Sequence, residues 1–236
     1  MSQEGKMLGV IGGLGPQATS YFYNDVIEHT KASRDQEHID MVILSHATTP
    51  DRTRAILSGD DKALIASLTR DVKILEDLGA ANIAIPCNTS HYYYDVMQSV
   101  TDVPIINMVR ESVLAAIKKY GNVRKIGIMG TDGTISTGIY KKECDKLEVE
   151  AVTPSPDRQK DVMRIIYDEI KAGERGSKSL FNRVVDELID DGCDAIILAC
   201  TELSVYKKFH TVHDICLDAM DVLVKESILR SGRRYQ

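Results

Sequence analysis

The sequence predicts an α/β fold made of two similar domains, each a mostly parallel sheet flanked by helices. Three observations carry this reading. Short β-branched runs alternate with longer amphipathic stretches, as in parallel strands joined by crossover helices. Several runs are apolar on both faces, which suits strands covered on both sides. The pattern also occurs twice. Met7-Leu8-Gly9-Val10-Ile11-Gly12 is echoed by Lys125-Ile126-Gly127-Ile128-Met129-Gly130, and each is followed downstream by a strand ending in cysteine.

In chain order, strands are expected over residues 7–12, 40–45, 82–86, 104–107, 125–129, 148–152 and 195–199. Helices are expected over residues 60–78, 108–120, 157–172 and 177–191. In the first of these, Leu64, Leu68, Val72, Leu75 and Leu78 recur at three- and four-residue steps, which gives one buried face. A final helix over residues 218–229 has Ala219, Val222, Leu223 and Val224 as its apolar side. It is expected to pack back on the first half and make that domain discontinuous. The expected first domain is therefore residues 1–107 plus 213–236, and the second is residues 108–212. No repeat shorter than a half-chain is present, so a solenoid is not indicated.

Composition narrows the function. The chain has 236 residues, 43% hydrophobic, with a net charge of −6, and this acidity argues against a nucleic-acid surface. No apolar run reaches membrane-spanning length, and the N-terminus from Met1 to Lys6 is polar, without a signal-peptide core. Five cysteines at irregular spacing favour reduced thiols and a cytoplasmic setting. No CxxC spacing exists, and His210 and His213 form an HxxH with no third ligand, so no metal is expected.

Two segments carry the chemistry. Pro86-Cys87-Asn88-Thr89-Ser90-His91 and Ala199-Cys200-Thr201-Glu202 each place a cysteine where a strand turns into a helix. Ligands of open parallel sheets bind beyond the carboxyl ends of strands. The free N–H groups of a following helix favour thiolate or a bound carboxylate. A lone buried cysteine is commonly a small apolar packing residue; the duplicated context argues for chemistry here. Cys144, Cys193 and Cys216 lack such context and read as packing residues.

Gly12-Gly13-Leu14-Gly15-Pro16-Gln17-Ala18 follows the first strand and formally matches GxGxxA. The second strand ends in Ser45-His46 rather than the acid a dinucleotide ribose requires, so no cofactor is expected. The loop reads instead as a close backbone approach to a small anionic ligand, with Pro16 opening the helix. His91, four residues after Cys87, either tunes the thiol or packs beside Tyr92, Tyr93 and Tyr94. By composition, Arg52 and Lys171 read as solvated charges.

These residues resemble the aspartate/glutamate racemase superfamily, and most closely its aspartate racemase branch. The resemblance covers nearly the whole chain. It rests on Gly9-Val10-Ile11-Gly12-Gly13-Leu14-Gly15-Pro16, Pro50-Asp51-Arg52-Thr53, Pro86-Cys87-Asn88-Thr89-Ser90-His91, Ile126-Gly127-Ile128-Met129-Gly130-Thr131 and Cys200-Thr201-Glu202-Leu203. It implies two α/β domains related by a pseudo-twofold, with the active site in the cleft between them. It implies that Cys87 and Cys200 are the acid/base catalysts of a cofactor-independent racemisation. It further implies that Asn88, Thr89, Thr131 and Thr201 bind the α-carboxylate, while Arg52 and Lys171 hold a side-chain carboxylate. Glutamate racemases read Cys-Thr-His at the second motif; Glu202 stands at that substrate-facing position here, which fits the aspartate branch. A homodimer is expected from the resemblance alone.

The expected reaction interconverts L- and D-aspartate. Alternatives on the same fold are a glutamate or broad-specificity racemase, or a cysteine-dependent small-diacid isomerase of the maleate isomerase kind. A nonenzymatic binding protein for dicarboxylic amino acids is the alternative from a different class.

Overall fold

A computed structural model describes residues 5–236. The first four residues of the polar N-terminal stretch lie outside the described residues. The chain forms two compact units: Met1–Met108 with Met220–Gln236, and Val109–Ala219.

The first unit is built on β1 (Leu8–Gly12), β2 (Met41–Ser45) and β3 (Asn82–Ala84), in the order β2-β1-β3 with all pairings parallel. Every residue of β1 is buried, because helices cover both faces of the sheet's central strand. The fourth strand expected over residues 104–107 contracts to one parallel bridge between Ile83 and Ile105. Pro104 offers no N–H, so its carbonyl accepts from Ile83 (2.9 Å), and Ile106 N–H returns to the Ile83 carbonyl (2.8 Å). The outward N–H of Ile105 donates to Gln98 Oε1 (2.9 Å), so a side chain closes this edge.

The Lys62–Asp77 helix buries Leu64, Leu68, Val72 and Leu75 completely. Leu78 departs from the expected stripe and is exposed. It lies past the last helical residue, where Gly79 turns the chain at φ +83°. The same helix buries Asp71, which accepts from His46 Nδ1 (2.9 Å) beyond the end of β2.

The glycine loop after β1 is shaped by packing. Gly13 has φ +82°, and a Cβ there would sit 2.5 Å from the His46 backbone. Gly13 N–H donates to Thr19 Oγ1 (2.9 Å), and His46 N–H donates to the Gly12 carbonyl (3.1 Å). The loop therefore brings β1 and β2 together, and the Gly13 N–H is bound within the protein.

The second unit contains β4 (Lys125–Met129), β5 (Glu150–Val152), β6 (Ala195–Leu198) and β7 (Cys216–Asp218), ordered β5-β4-β6-β7 and parallel throughout. The sequence pattern missed β7, which is only three residues long. Its pairing with β6 keeps residues up to Ala219 in this unit, past the expected return at residue 213. Both units share one topology: second strand, first, third, then fourth, with the Ile105 bridge standing where β7 stands.

The helix expected over residues 157–172 changes winding. It is α-helical over Pro156–Met163, with Ser155 as its capping residue, and becomes a wider π-helical segment over Arg164–Ile170. Lys171 N–H donates to the Ile166 carbonyl (3.0 Å), a five-residue step.

Candidate active site

Cys87 and Cys200 occupy corresponding places. Each follows the third strand of its unit, and each is 7% exposed. The segments after them differ. Cys200 is the N-cap of a nine-residue α-helix, Thr201–Phe209. Cys87 precedes a tight 3-10 turn, Thr89–Tyr93, followed by a short α-helix, Tyr94–Gln98. The expected helix-terminus field is therefore stronger at Cys200.

In the first unit, Asn88 and Thr89 are buried in the turn behind Cys87. Arg52 opens the Arg52–Ser58 helix, which Asp51 caps by accepting from Arg54 N–H (2.8 Å). That helix packs on the Thr89–Tyr93 turn, which brings the Arg52 element to the Cys87 segment. The Arg52 guanidinium donates to the Leu14 carbonyl in the glycine loop (2.8 Å) and to the Pro50 carbonyl (3.2 Å). These two bonds fix the guanidinium against the loop.

His91 serves the backbone. Met108 N–H can only donate, so His91 Nε2 accepts it (3.1 Å), which places the proton on Nδ1. Nδ1–H then donates to the Cys87 carbonyl (2.9 Å). Complete burial lowers the His91 pKa and keeps the ring neutral. The sequence offered His91 as tuning the thiol or packing beside the tyrosines; its hydrogen bonds give it a third role, bracing the turn through the backbone.

In the second unit, four expected site residues come together. Cys200 Sγ lies 2.9 Å from Glu202 Oε2, and Thr201 Oγ1 reaches the same oxygen at 3.4 Å. Lys171 Nζ lies 3.7 Å from Glu202 Oε1 and stacks over the Tyr167 ring at 4.2 Å. The π-helical segment brings Lys171 to this cluster, since the Thr201–Phe209 helix packs against it. Burial first, and then the Glu202 carboxylate, push the Cys200 thiol well above its ordinary pKa. Thr131 caps the Asp132–Ser136 helix at the end of β4 by accepting from Thr134 N–H (3.2 Å).

Sequence reasoning missed a second brace. Ser204, four residues after Cys200, donates to Asp218 Oδ1 at the end of β7 (2.7 Å), and Lys207 Nζ lies 3.5 Å from Asp218 Oδ2. The available signal was the repeat: Ser204 stands where His91 stands. All five cysteines are free thiols. Among the described residues, no three His, Cys, Asp or Glu are grouped to hold a metal, and no helix is long and apolar enough to cross a membrane.

A model of the Asp/Glu/hydantoin racemase family matches residues 11–227. The chain belongs to this family. Racemases are isomerases, and this family member is therefore an isomerase. It is 30% identical over 207 residues to the broad specificity amino-acid racemase RacX of Bacillus subtilis, covering 84% of this chain and 86% of that one. Among solved structures, the Picrophilus torridus aspartate racemase superposes with a TM-score of 0.84 at 27% identity, covering 98% of this chain and 96% of that one. An aspartate racemase homologue from Pyrococcus horikoshii shares the fold, with a TM-score of 0.77 at 24% identity, over 96% of this chain and 99% of that one.

Proposed function

We propose that this family member is a cofactor-independent amino-acid racemase that interconverts L- and D-aspartate, with Cys87 and Cys200 as its two acid/base groups. The observation that carries the reading is the matched placement of two buried thiols at third-strand ends, in a racemase-family chain. Racemisation removes the Cα proton from one face and returns a proton to the other. Two thiols can divide that work, one as thiolate and one as thiol, with roles exchanged in the reverse direction. The Cα–H is a very weak acid, so the developing carbanion needs preorganised donors and cations around the carboxylates. Asn88, Thr89, Thr131 and Thr201 are assigned to the α-carboxylate, and Arg52 and Lys171 to the side-chain carboxylate, with Glu202 beside them. Free thiols suit a cytoplasmic setting, and a homodimer is part of the same proposal.

A broader substrate range is the second reading. One observation favours it: Lys171 already faces a protein carboxylate, Glu202, which weakens its preference for an acidic side chain. Chiral chromatography over a panel of amino acids in heavy water separates the two. Racemisation and Cα deuteration confined to aspartate support the first. Comparable turnover of neutral amino acids supports the second. Tight aspartate binding with no deuteration of any substrate would overturn both.

A further inference from the structure

We propose that Glu202 holds Cys200 in its protonated form in the free enzyme, so that the resting enzyme presents Cys200 as a proton donor. This rests on the two-thiol reading above. Glu202 is thus a positioning residue that acts through Cys200.

The geometry is specific. The Cys200 S–H donates to Glu202 Oε2 at 2.9 Å, and both residues are buried. Ionising Cys200 would place a second negative charge against a carboxylate with both side chains buried, which is costly. Within the second unit, the titratable groups acting on Cys200 are Glu202, Lys171 and the buried Tyr140. Lys171 favours thiolate, but it lies against the other Glu202 oxygen, 3.7 Å away, which weakens its effect on the sulfur. The Glu202 backbone N–H also favours thiolate, and it too is outweighed by burial and the carboxylate.

The proton balance follows. When Cys200 is the donor, its S–H bond breaks, the proton goes to Cα and the electron pair stays on the Cys200 sulfur, while Cys87, acting as thiolate, takes the opposite Cα proton. Cys200 regains its proton from water as Cys87 releases one to it. The equilibrium constant of a racemisation is one, so kcat/KM is equal in both directions whichever form rests. The protonation of Cys200 therefore has to be read at the thiol itself.

The test is site-resolved alkylation of the full-length protein with iodoacetamide from pH 6 to 11, read by peptide mass spectrometry. In the wild type, Cys200 is expected to alkylate only well above the ordinary thiol range. In Glu202→Gln, the Cys200 midpoint is expected to fall by about one pH unit, making Cys200 about 10-fold more reactive at pH 8. In Lys171→Met, the midpoint is expected to rise. These shifts have opposite sign, so a general loosening of the fold cannot produce both. Wild-type Cys200 alkylating with an ordinary thiol midpoint, no shift in Glu202→Gln, or shifts of the same sign in both variants would overturn the proposal. The readout does not depend on turnover. Absent racemisation with these shifts intact would sink the racemase reading and leave the role of Glu202 standing.

Discussion

His91 Nε2 accepts the N–H of Met108 at 3.1 Å, linking the turn behind Cys87 to the last residue before the chain leaves the first unit. The second unit repeats the device with different chemistry. Ser204, also four residues after its cysteine, bonds Asp218, just before the chain returns at Met220. Each cysteine turn is thus tied to a crossover point.

Replacing His91 with Phe should cost about 2–4 kcal/mol, because it leaves the Met108 N–H and the Cys87 carbonyl without this partner. The pH dependence gives a sharper check. The folded pKa of His91 is lowered, so below about pH 6.5 the unfolded chain binds a proton that the folded chain does not. Its contribution is full above that pH and is lost below it, at up to about 1.4 kcal/mol per pH unit. Urea unfolding at pH 7, 6 and 5 should show this slope in the wild type and a shallower one in His91→Phe. Equal slopes would contradict the neutral, buried assignment.

Ser204→Ala should destabilise the protein by about 1.5–3 kcal/mol, since it removes a buried hydrogen bond to the Asp218 carboxylate. Lys207→Met should cost less, about 1 kcal/mol or below, because its longer ion pair is partly exposed. Chemical denaturation of both variants checks the order. A larger loss in Lys207→Met would show that charge, not the Ser204 bond, anchors β7.

Gly13→Ala should cost about 3 kcal/mol or more. The new Cβ meets backbone rather than a yielding side chain, and a φ of +82° is unfavourable for alanine. Gly59→Ala is the control, since it has a similar φ of +71° but open space around it, and should cost only about 1 kcal/mol. Matching losses in the two variants would remove the close approach to His46 as the cause.

Stability should fall above about pH 9. Burial raises the thiol pKa of Cys144 and Cys193 to about 11 and of Cys216 to about 12. Between the ordinary thiol range and those values, the unfolded chain has lost protons that the folded chain retains. Each thiol then lowers stability by up to about 1.4 kcal/mol per pH unit. Urea midpoints measured at pH 8, 9 and 10 should decline, and the decline should flatten in Cys144→Ala. An unchanged profile in that variant would place the alkaline sensitivity elsewhere.

Residues differ in how openly the sequence declares their roles. Long apolar runs such as Leu8–Gly12 and Ala195–Leu198 announce buried strands. Cys216–Asp218 is too short to show a pattern, and Ile105-Ile106 reads as a strand although it makes one bridge. The π-helical segment is invisible to a 3.6-residue period because its hydrogen bonds step by five. The thiols were legible because they are duplicated. The contact of Glu202 with Cys200 lies within one helical turn, so spacing allowed it. Ser204 and Asp218 meet only through the pairing of β6 and β7, which no local pattern shows.

The central claim is that Cys87 and Cys200 act on opposite faces of one Cα. It is tested most directly by following racemisation and Cα deuteration of L- and D-aspartate in heavy water with the wild type, Cys87→Ala and Cys200→Ala. The account predicts deuteration from both enantiomers in the wild type and at least about a 1,000-fold loss of racemisation in each variant. Near-wild-type racemisation in either variant would contradict it.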